Sequence, residues 1–213
     1  MIRLLTAASA ALLLAACQQP ASAPEKTDAP AASATRTAPN FTLVDADGAQ
    51  RSLADFRGKT VVLEWTNEGC PYVKKHYTGA MQALQRAATA DGVVWLTIIS
   101  SAPGTQGFVQ GAEAKAWKAK HSAAFTHLLL DPTGEVGRLY DAKTTPDMRV
   151  IDAEGRLIYV GGIDDKPTNK VEDLQGATNY VQAALDDVEA KRPVRTAFAQ
   201  PYGCSIKYAD EQA

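Results

Sequence analysis

The chain has 213 residues, is 46% apolar and 22% charged, and carries a formal net charge of −2. That size fits one globular domain with extensions. The near balance of charge excludes the strongly basic surface of nucleic-acid-binding domains, so no nucleic acid is expected as a partner.

Met1-Ile2-Arg3 supplies a positive start, and Leu4 to Ala16 is almost wholly apolar. Such a run is too short to span a bilayer and reads as a signal peptide over residues 1–16. Leu14-Ala15-Ala16-Cys17 resembles the bacterial lipobox, which implies lipidation of Cys17 and an anchor to a membrane. The alternative is a plain secretory signal with an incidental cysteine. Gln18 in place of Asp after it implies, by the enteric rule, the outer rather than the inner membrane. Residues 17–37, rich in Ala, Pro, Ser and Thr, read as a flexible tether. The implied compartment is the periplasm, where disulfides persist.

The domain is expected over 38–190. Phe41 to Leu43 alternates in β fashion, Asp45-Ala46-Asp47-Gly48 is a turn, and Gln50 to Leu53 completes a hairpin. One helical turn follows over Leu53 to Lys59, closed at Gly58. Val61 to Trp65 reads as the first buried strand. Residues 71–90 carry one helical stripe, and Asp91-Gly92 stops it. Val93 to Ile99 is a second buried strand. A loop over 100–111 leads to a short, mostly exposed helix over 112–121, anchored by Trp117. His127 to Leu130 is a third strand, followed by a helical turn through Val136, Leu139 and Tyr140. Met148 to Asp152 and Leu157 to Val160 form an antiparallel hairpin. Apolar positions from Leu174 to Val188 mark a last amphipathic helix. Gly161-Gly162 reads as a turn rather than a phosphate loop, because no suitable helix follows it. Residues 191–213 form a tail without periodicity. Strands alternating with helices, then a hairpin, predict an α/β fold: a mixed central sheet with helices on both faces.

The chemistry centres on Cys70. A buried strand ends in the polar turn Thr66-Asn67-Glu68-Gly69, and Cys70-Pro71 opens a helix. Unpaired N–H groups at a helix N-terminus favour the thiolate, the reactive form of cysteine. Cys70 is therefore read as a nucleophile, with Lys74, Lys75 or His76 as possible helpers; the alternative is a structural half-cystine. Glu64, inside the apolar strand, is expected to have a raised pKa and to accept or relay a thiol proton, unless it faces solvent at an edge. Cys204 lies in the aromatic-flanked run Tyr202-Gly203-Cys204-Ser205-Ile206-Lys207-Tyr208. A tail that folds back could bring it to Cys70, as a resolving thiol or as a permanent staple; a free thiol is the third option. The histidines at 76, 121 and 127 have no ligand spacing, so neither a metal nor another cofactor is expected.

Several of these pieces together resemble the thioredoxin-like superfamily, in its redoxin branch of alkyl hydroperoxide reductases and thiol-specific antioxidants. The likeness rests on Ala38-Pro39-Asn40-Phe41-Thr42-Leu43, Asp47-Gly48, Leu53 to Lys59, Cys70, Thr144-Thr145-Pro146 and Val150 to Gly155. The resemblance implies the thioredoxin-like fold, a nucleophilic role for Cys70, a buried acid at Glu64, and a cis proline at Pro146 lying against the cysteine. Thr145, Asn67 and Tyr72 are the candidate substrate-binding residues. It also implies a protein disulfide or a peroxide as substrate and a periplasmic thiol as reductant. Two departures stand out. Cys70-Pro71-Tyr72-Val73 lacks the second cysteine of thioredoxins. Asn67 and Leu63 stand where peroxiredoxins keep a Thr or Ser and a proline, and the peroxide-activating arginine is not at Thr145. The competing reading is a non-catalytic lipoprotein whose Cys70–Cys204 bridge is structural and whose surface binds a partner.

Overall fold

The structure, a computed structural model, describes residues 36–209. The signal peptide, Cys17 and the tether up to residue 35 lie outside the described residues. In chain order the elements are β1 (Arg36–Thr37), β2 (Thr42–Asp45), β3 (Gln50–Ser52), a 3₁₀ turn (Leu53–Phe56), β4 (Val61–Trp65), α1 (Pro71–His76), α2 (Ala80–Ala90), β5 (Val94–Ile99) and α3 (Gly111–Lys120). There follow β6 (His127–Leu130), α4 (Glu135–Leu139), β7 (Thr144–Thr145), β8 (Asp147–Ile151), β9 (Arg156–Gly161), a 3₁₀ turn (Val171–Leu174), α5 (Tyr180–Glu189), β10 (Phe198–Ala199) and β11 (Cys204–Ser205).

The main sheet runs β1-β9-β8-β4-β5-β6-β2-β3, with β10 added to β9. Its centre is parallel over β4, β5 and β6, and β8 joins β4 antiparallel. The central strands are buried on both faces, which is why they read as unbroken apolar runs rather than alternating ones. Val62 packs with Met81 and Leu84 of α2, Trp117 of α3 and Val181 of α5. Val61, Leu63 and Trp65 pack with Val136 of α4, with Phe41 and Leu53 from the start of the domain, and with Ile206 and Tyr208 from the tail. This is the mixed α/β sheet read from the sequence, with helices on both faces.

Four boundaries differ from that reading. The helical stripe over 71–90 is two helices, because the chain turns out through Tyr77 and Thr78 and restarts at Gly79, whose φ of 140° suits glycine. The last helix begins only at Tyr180, where the Asn179 side chain accepts from the Gln182 N–H at 2.9 Å; Leu174 belongs to the separate 3₁₀ turn. Arg36 and Thr37, read as tether, pair with Arg156 and Leu157 of β9. Strand pairing there uses backbone groups and needs no apolar signal from the side chains.

The fourth concerns the tail, which adds strands rather than trailing away. Phe198 and Ala199 pair in parallel with Val160 and Gly161, and Cys204 and Ser205 pair antiparallel with Thr145 and Thr144. Gly161 is therefore the end of a strand and not a turn. A Cβ there would collide with the Ala199 backbone, and one on Gly162 would crowd the Gln200 carbonyl and the Tyr202 ring.

Candidate functional site

Cys70 caps the N-terminus of α1, with Pro71 at the first helical position, where no N–H is required. Its own N–H donates to the Asn67 carbonyl at 3.0 Å, which closes the turn after β4. The side chain has no exposed surface. Its thiol donates to the Thr145 carbonyl at 3.2 Å. The Thr145–Pro146 bond is cis, and both residues are buried. Antiparallel pairing sets Cys204 opposite Thr145, the residue whose carbonyl accepts from the Cys70 thiol, and so brings the two cysteines together. Both cysteines are free thiols. The tail thus carries a second sulfur to the first across 134 residues of sequence.

The two thiols are unequal. Burial pushes the Cys70 thiol up, but bonds from the Cys204 thiol, the Val73 N–H, the Thr145 side chain and the Cys204 backbone outweigh it, and its pKa is lowered. Burial, together with the bond and the charge of Cys70, pushes Cys204 up to about 12, with Lys207 opposing. These opposite shifts favour the thiolate at Cys70 over one at Cys204.

The remaining candidates fall differently. Glu64 is buried, but it lies on the sheet face under α2. It accepts from the Trp95 indole at 2.7 Å, the Tyr77 hydroxyl at 2.8 Å, the Gln85 amide at 3.0 Å and the Thr97 hydroxyl at 3.1 Å. Burial raises its pKa against these bonds. None of them leads to Cys70, so the proton relay expected from the sequence gives way to a role in the core. The Asn67 side chain fixes loops: its oxygen accepts from the Gly69 N–H at 2.8 Å and its amide donates to the Gln106 carbonyl at 3.1 Å. It is buried and does not line a substrate cleft. Tyr72 is half-buried and meets the Tyr202 ring edge-on, with centroids 5.9 Å apart.

Lys74 is exposed, and its backbone N–H donates to the Cys70 carbonyl at 2.9 Å. Lys75 and His76 are buried in a different cluster. Lys75 Nζ donates to the Lys166 carbonyl at 2.8 Å and lies 3.6 Å from Asp164, and His76 Nε2 is 3.2 Å from the Tyr202 hydroxyl. Arg149 is also buried. It pairs with Asp147, donates to the Met148 and Tyr140 carbonyls, and lies over the Trp65 ring at 5.4 Å. Among the described residues, no group of three or more His, Cys, Asp or Glu side chains is placed to hold a metal ion.

Sequence reasoning missed Asp164 and the contact between His76 and Tyr202. The signal lay in the tail itself. Tyr202 and Tyr208 bracket Cys204, and glycines stand wherever the tail presses on the domain. A Cβ on Gly203 would collide with the Thr145 carbonyl, and one on Gly134 or Gly137 with the Tyr208 ring.

Solved structures share this architecture. The chain is 26% identical, with a TM-score of 0.69, to a hypothetical protein from Sinorhizobium meliloti 1021, over 81% of this chain and 93% of that one. It is 28% identical, with a TM-score of 0.66, to an uncharacterized conserved protein from Geobacillus kaustophilus, over 82% and 91%. The thioredoxin domain of a thiol-disulfide oxidoreductase from Bacteroides vulgatus is 18% identical, with a TM-score of 0.48, over 67% and 96%. Among curated proteins none matches. The model of the AhpC/TSA family matches residues 34–160, more than half of the sequence and including Cys70, Thr145 and Pro146. The chain belongs to the AhpC/TSA family.

Proposed function

We propose that the protein is a thiol–disulfide oxidoreductase in which Cys70 attacks and Cys204 resolves. The observation that carries this reading is the pairing of Cys204 with Thr145, whose carbonyl accepts from the Cys70 thiol at 3.2 Å; the lowered pKa of Cys70 agrees with it. In the first step the Cys70 thiolate attacks a substrate disulfide RS–SR′, forming Cys70–S–S–R and releasing R′S⁻. Cys204 then loses its proton and attacks the Cys70 sulfur. A Cys70–Cys204 bond forms and RS⁻ leaves. The substrate gains two electrons and the pair loses two, so an external thiol reductant must restore the pair. Thr145 and Pro146 lie beside the reacting sulfur.

Disulfides are favoured over peroxides by the surroundings of Cys70. The Asn67 amide is committed to Gln106, and Arg149 is committed to Asp147 in the core. Neither is positioned to polarise a peroxide at the thiolate. The second reading, a structural Cys70–Cys204 staple on a partner-binding lipoprotein, shares this geometry and differs in reduction potential.

We further place the domain in the periplasm, tethered through a lipid on Cys17, most simply at the outer membrane. The support is the apolar run ending in Leu14-Ala15-Ala16-Cys17-Gln18.

One mass-spectrometric experiment tests these points. Cys204→Ser protein exposed to a disulfide substrate should accumulate a mixed disulfide on Cys70, while Cys70→Ser should trap nothing and lose about 10³-fold in insulin-disulfide reduction. Wild-type protein from the membrane fraction should carry the acyl mass on Cys17. A wild-type 70–204 bridge with a potential below about −300 mV would instead mark a staple.

A further inference from the structure

We propose that Tyr202 is a positioning residue that fixes Cys204 against Cys70 by tying the tail to the helix that Cys70 caps. The proposal rests on the reading of Cys204 as the resolving thiol. Tyr202 stands two residues before Cys204. Its hydroxyl donates to Asp164 Oδ1, and its oxygen lies 3.2 Å from His76 Nε2. Since the phenolic proton is given to the carboxylate, the His76 Nε2–H is the donor in the second bond. His76 ends α1, the six-residue helix that begins just after Cys70. The same ring packs on Tyr72 of α1, and Lys75 Nζ lies 5.7 Å from its centroid. Three contacts therefore join Tyr202 to one short helix, and its bond to Asp164 ties it to the loop after β9.

The polar pocket exists for this contact. Lys75, His76 and Asp164 are all buried, and Asp164 also accepts from the Lys166 N–H at 2.9 Å. Burying a cation and a carboxylate is costly unless they meet each other and further hydrogen-bonding groups. Here the Tyr202 hydroxyl is one of those groups. Between the anchor and the sulfur lies Gly203, at φ 130°, a conformation open to glycine and strained for other residues. With the ring held on one side of Gly203 and the Thr145 pairing on the other, the Cys204 sulfur has little freedom. Tyr208, the other aromatic of the tail, bonds the Ala142 carbonyl at 2.8 Å and packs beside α4, away from α1.

The test uses the full chain and its Tyr202→Phe and Tyr208→Phe variants. Each is equilibrated with reduced and oxidised glutathione, which converts the dithiol to the 70–204 disulfide with release of two glutathione thiols. The pH dependence of iodoacetamide alkylation at Cys70 is measured on the reduced proteins. Tyr202→Phe should lower the closing constant roughly tenfold, as expected for losing a hydrogen bond to a charged group. It should also move the alkylation midpoint upward. Tyr208→Phe should leave both within about twofold, although it removes a hydrogen bond of the same tail. Asp164→Asn, which keeps the ring and weakens its acceptor, should shift the closing constant the same way by less, and it serves if Tyr202→Phe does not fold. A Tyr202→Phe protein that melts earlier but closes as readily as wild type overturns the proposal and leaves the resolving role of Cys204 standing. A wild-type chain that forms no 70–204 disulfide overturns that role, and the proposal with it.

Discussion

The two sulfurs of the site are held by different kinds of structure. Cys70 hangs from the centre of the sheet: β4 lies between β5 and β8, is buried on both faces, and delivers the chain into α1. Cys204 hangs from a two-residue strand, two tyrosines and a series of glycines that let the tail lie close. The first thiol is positioned by the same packing that stabilises the whole domain. The second is held at the edge of that packing: Ile206 and Tyr208 of the tail join the core, while Cys204 itself is only half-buried. The attacking and closing steps should therefore be separable by mutation, with core lesions costing both and tail lesions costing one.

The largest effect should come from the core. Trp95 is fully buried and its indole donates to Glu64. Trp95→Ala should cost about 4 kcal/mol by urea unfolding, from the cavity and from a buried carboxylate short of one donor. The reactivities of Cys70 and Cys204 should fall together along that transition; a variant that kept one and lost the other would break the comparison.

A middle effect belongs to the joint between the halves. Burial holds the His76 pKa down from 6.5 to about 4, with Asp164 opposing and Lys75 adding to the depression. Between those values the unfolded chain binds a proton that the folded chain refuses. Stability is therefore complete above pH 6.5 and declines as pH falls towards 4, by up to about 3 kcal/mol. Unfolding measured across pH 4–7 should show this slope, and His76→Gln should flatten it.

The smallest effect on stability, and the sharpest on the comparison, should come from Gly203→Ala. The new Cβ meets the Thr145 carbonyl, and the positive φ adds strain. Global stability should change by about 1 kcal/mol or less, because β11 is marginal to the core. Closure of the 70–204 pair should fall roughly tenfold, while the first alkylation at Cys70 persists. Equal losses in both would show that the tail is part of the core after all.

The same division explains what the sequence disclosed. The strand before Cys70, the Cys-Pro helix start and the hairpin over 148–160 were legible, since each has its own periodicity or turn chemistry, and the Thr-Pro segment was legible through the family resemblance alone. Glu64 was legible as a buried acid but not in its purpose. Its partners Tyr77, Gln85, Trp95 and Thr97 are scattered over 21 residues beyond the turn, and no local pattern links them. The break at Gly79 was hidden by apolar residues that stay in phase on either side. The tail was the least legible part. Strands of two residues are too short to alternate, and the close approach of the tail is written in glycines: Gly161 against Ala199, Gly203 against Thr145, and Gly134 and Gly137 against the Tyr208 ring.

One feature of the tail bears on more than the thiols. β9 lies next to the margin of the sheet, where β1 covers its Arg156–Leu157 end and β10 its Val160–Gly161 end. An open strand at such a place is a template for pairing with another chain. The segment that leads to Cys204 thus also serves as a seal on the sheet. A chain shortened before Phe198 would lose Cys204 and, at the same stroke, gain an adhesive edge, so its first symptom would be self-association.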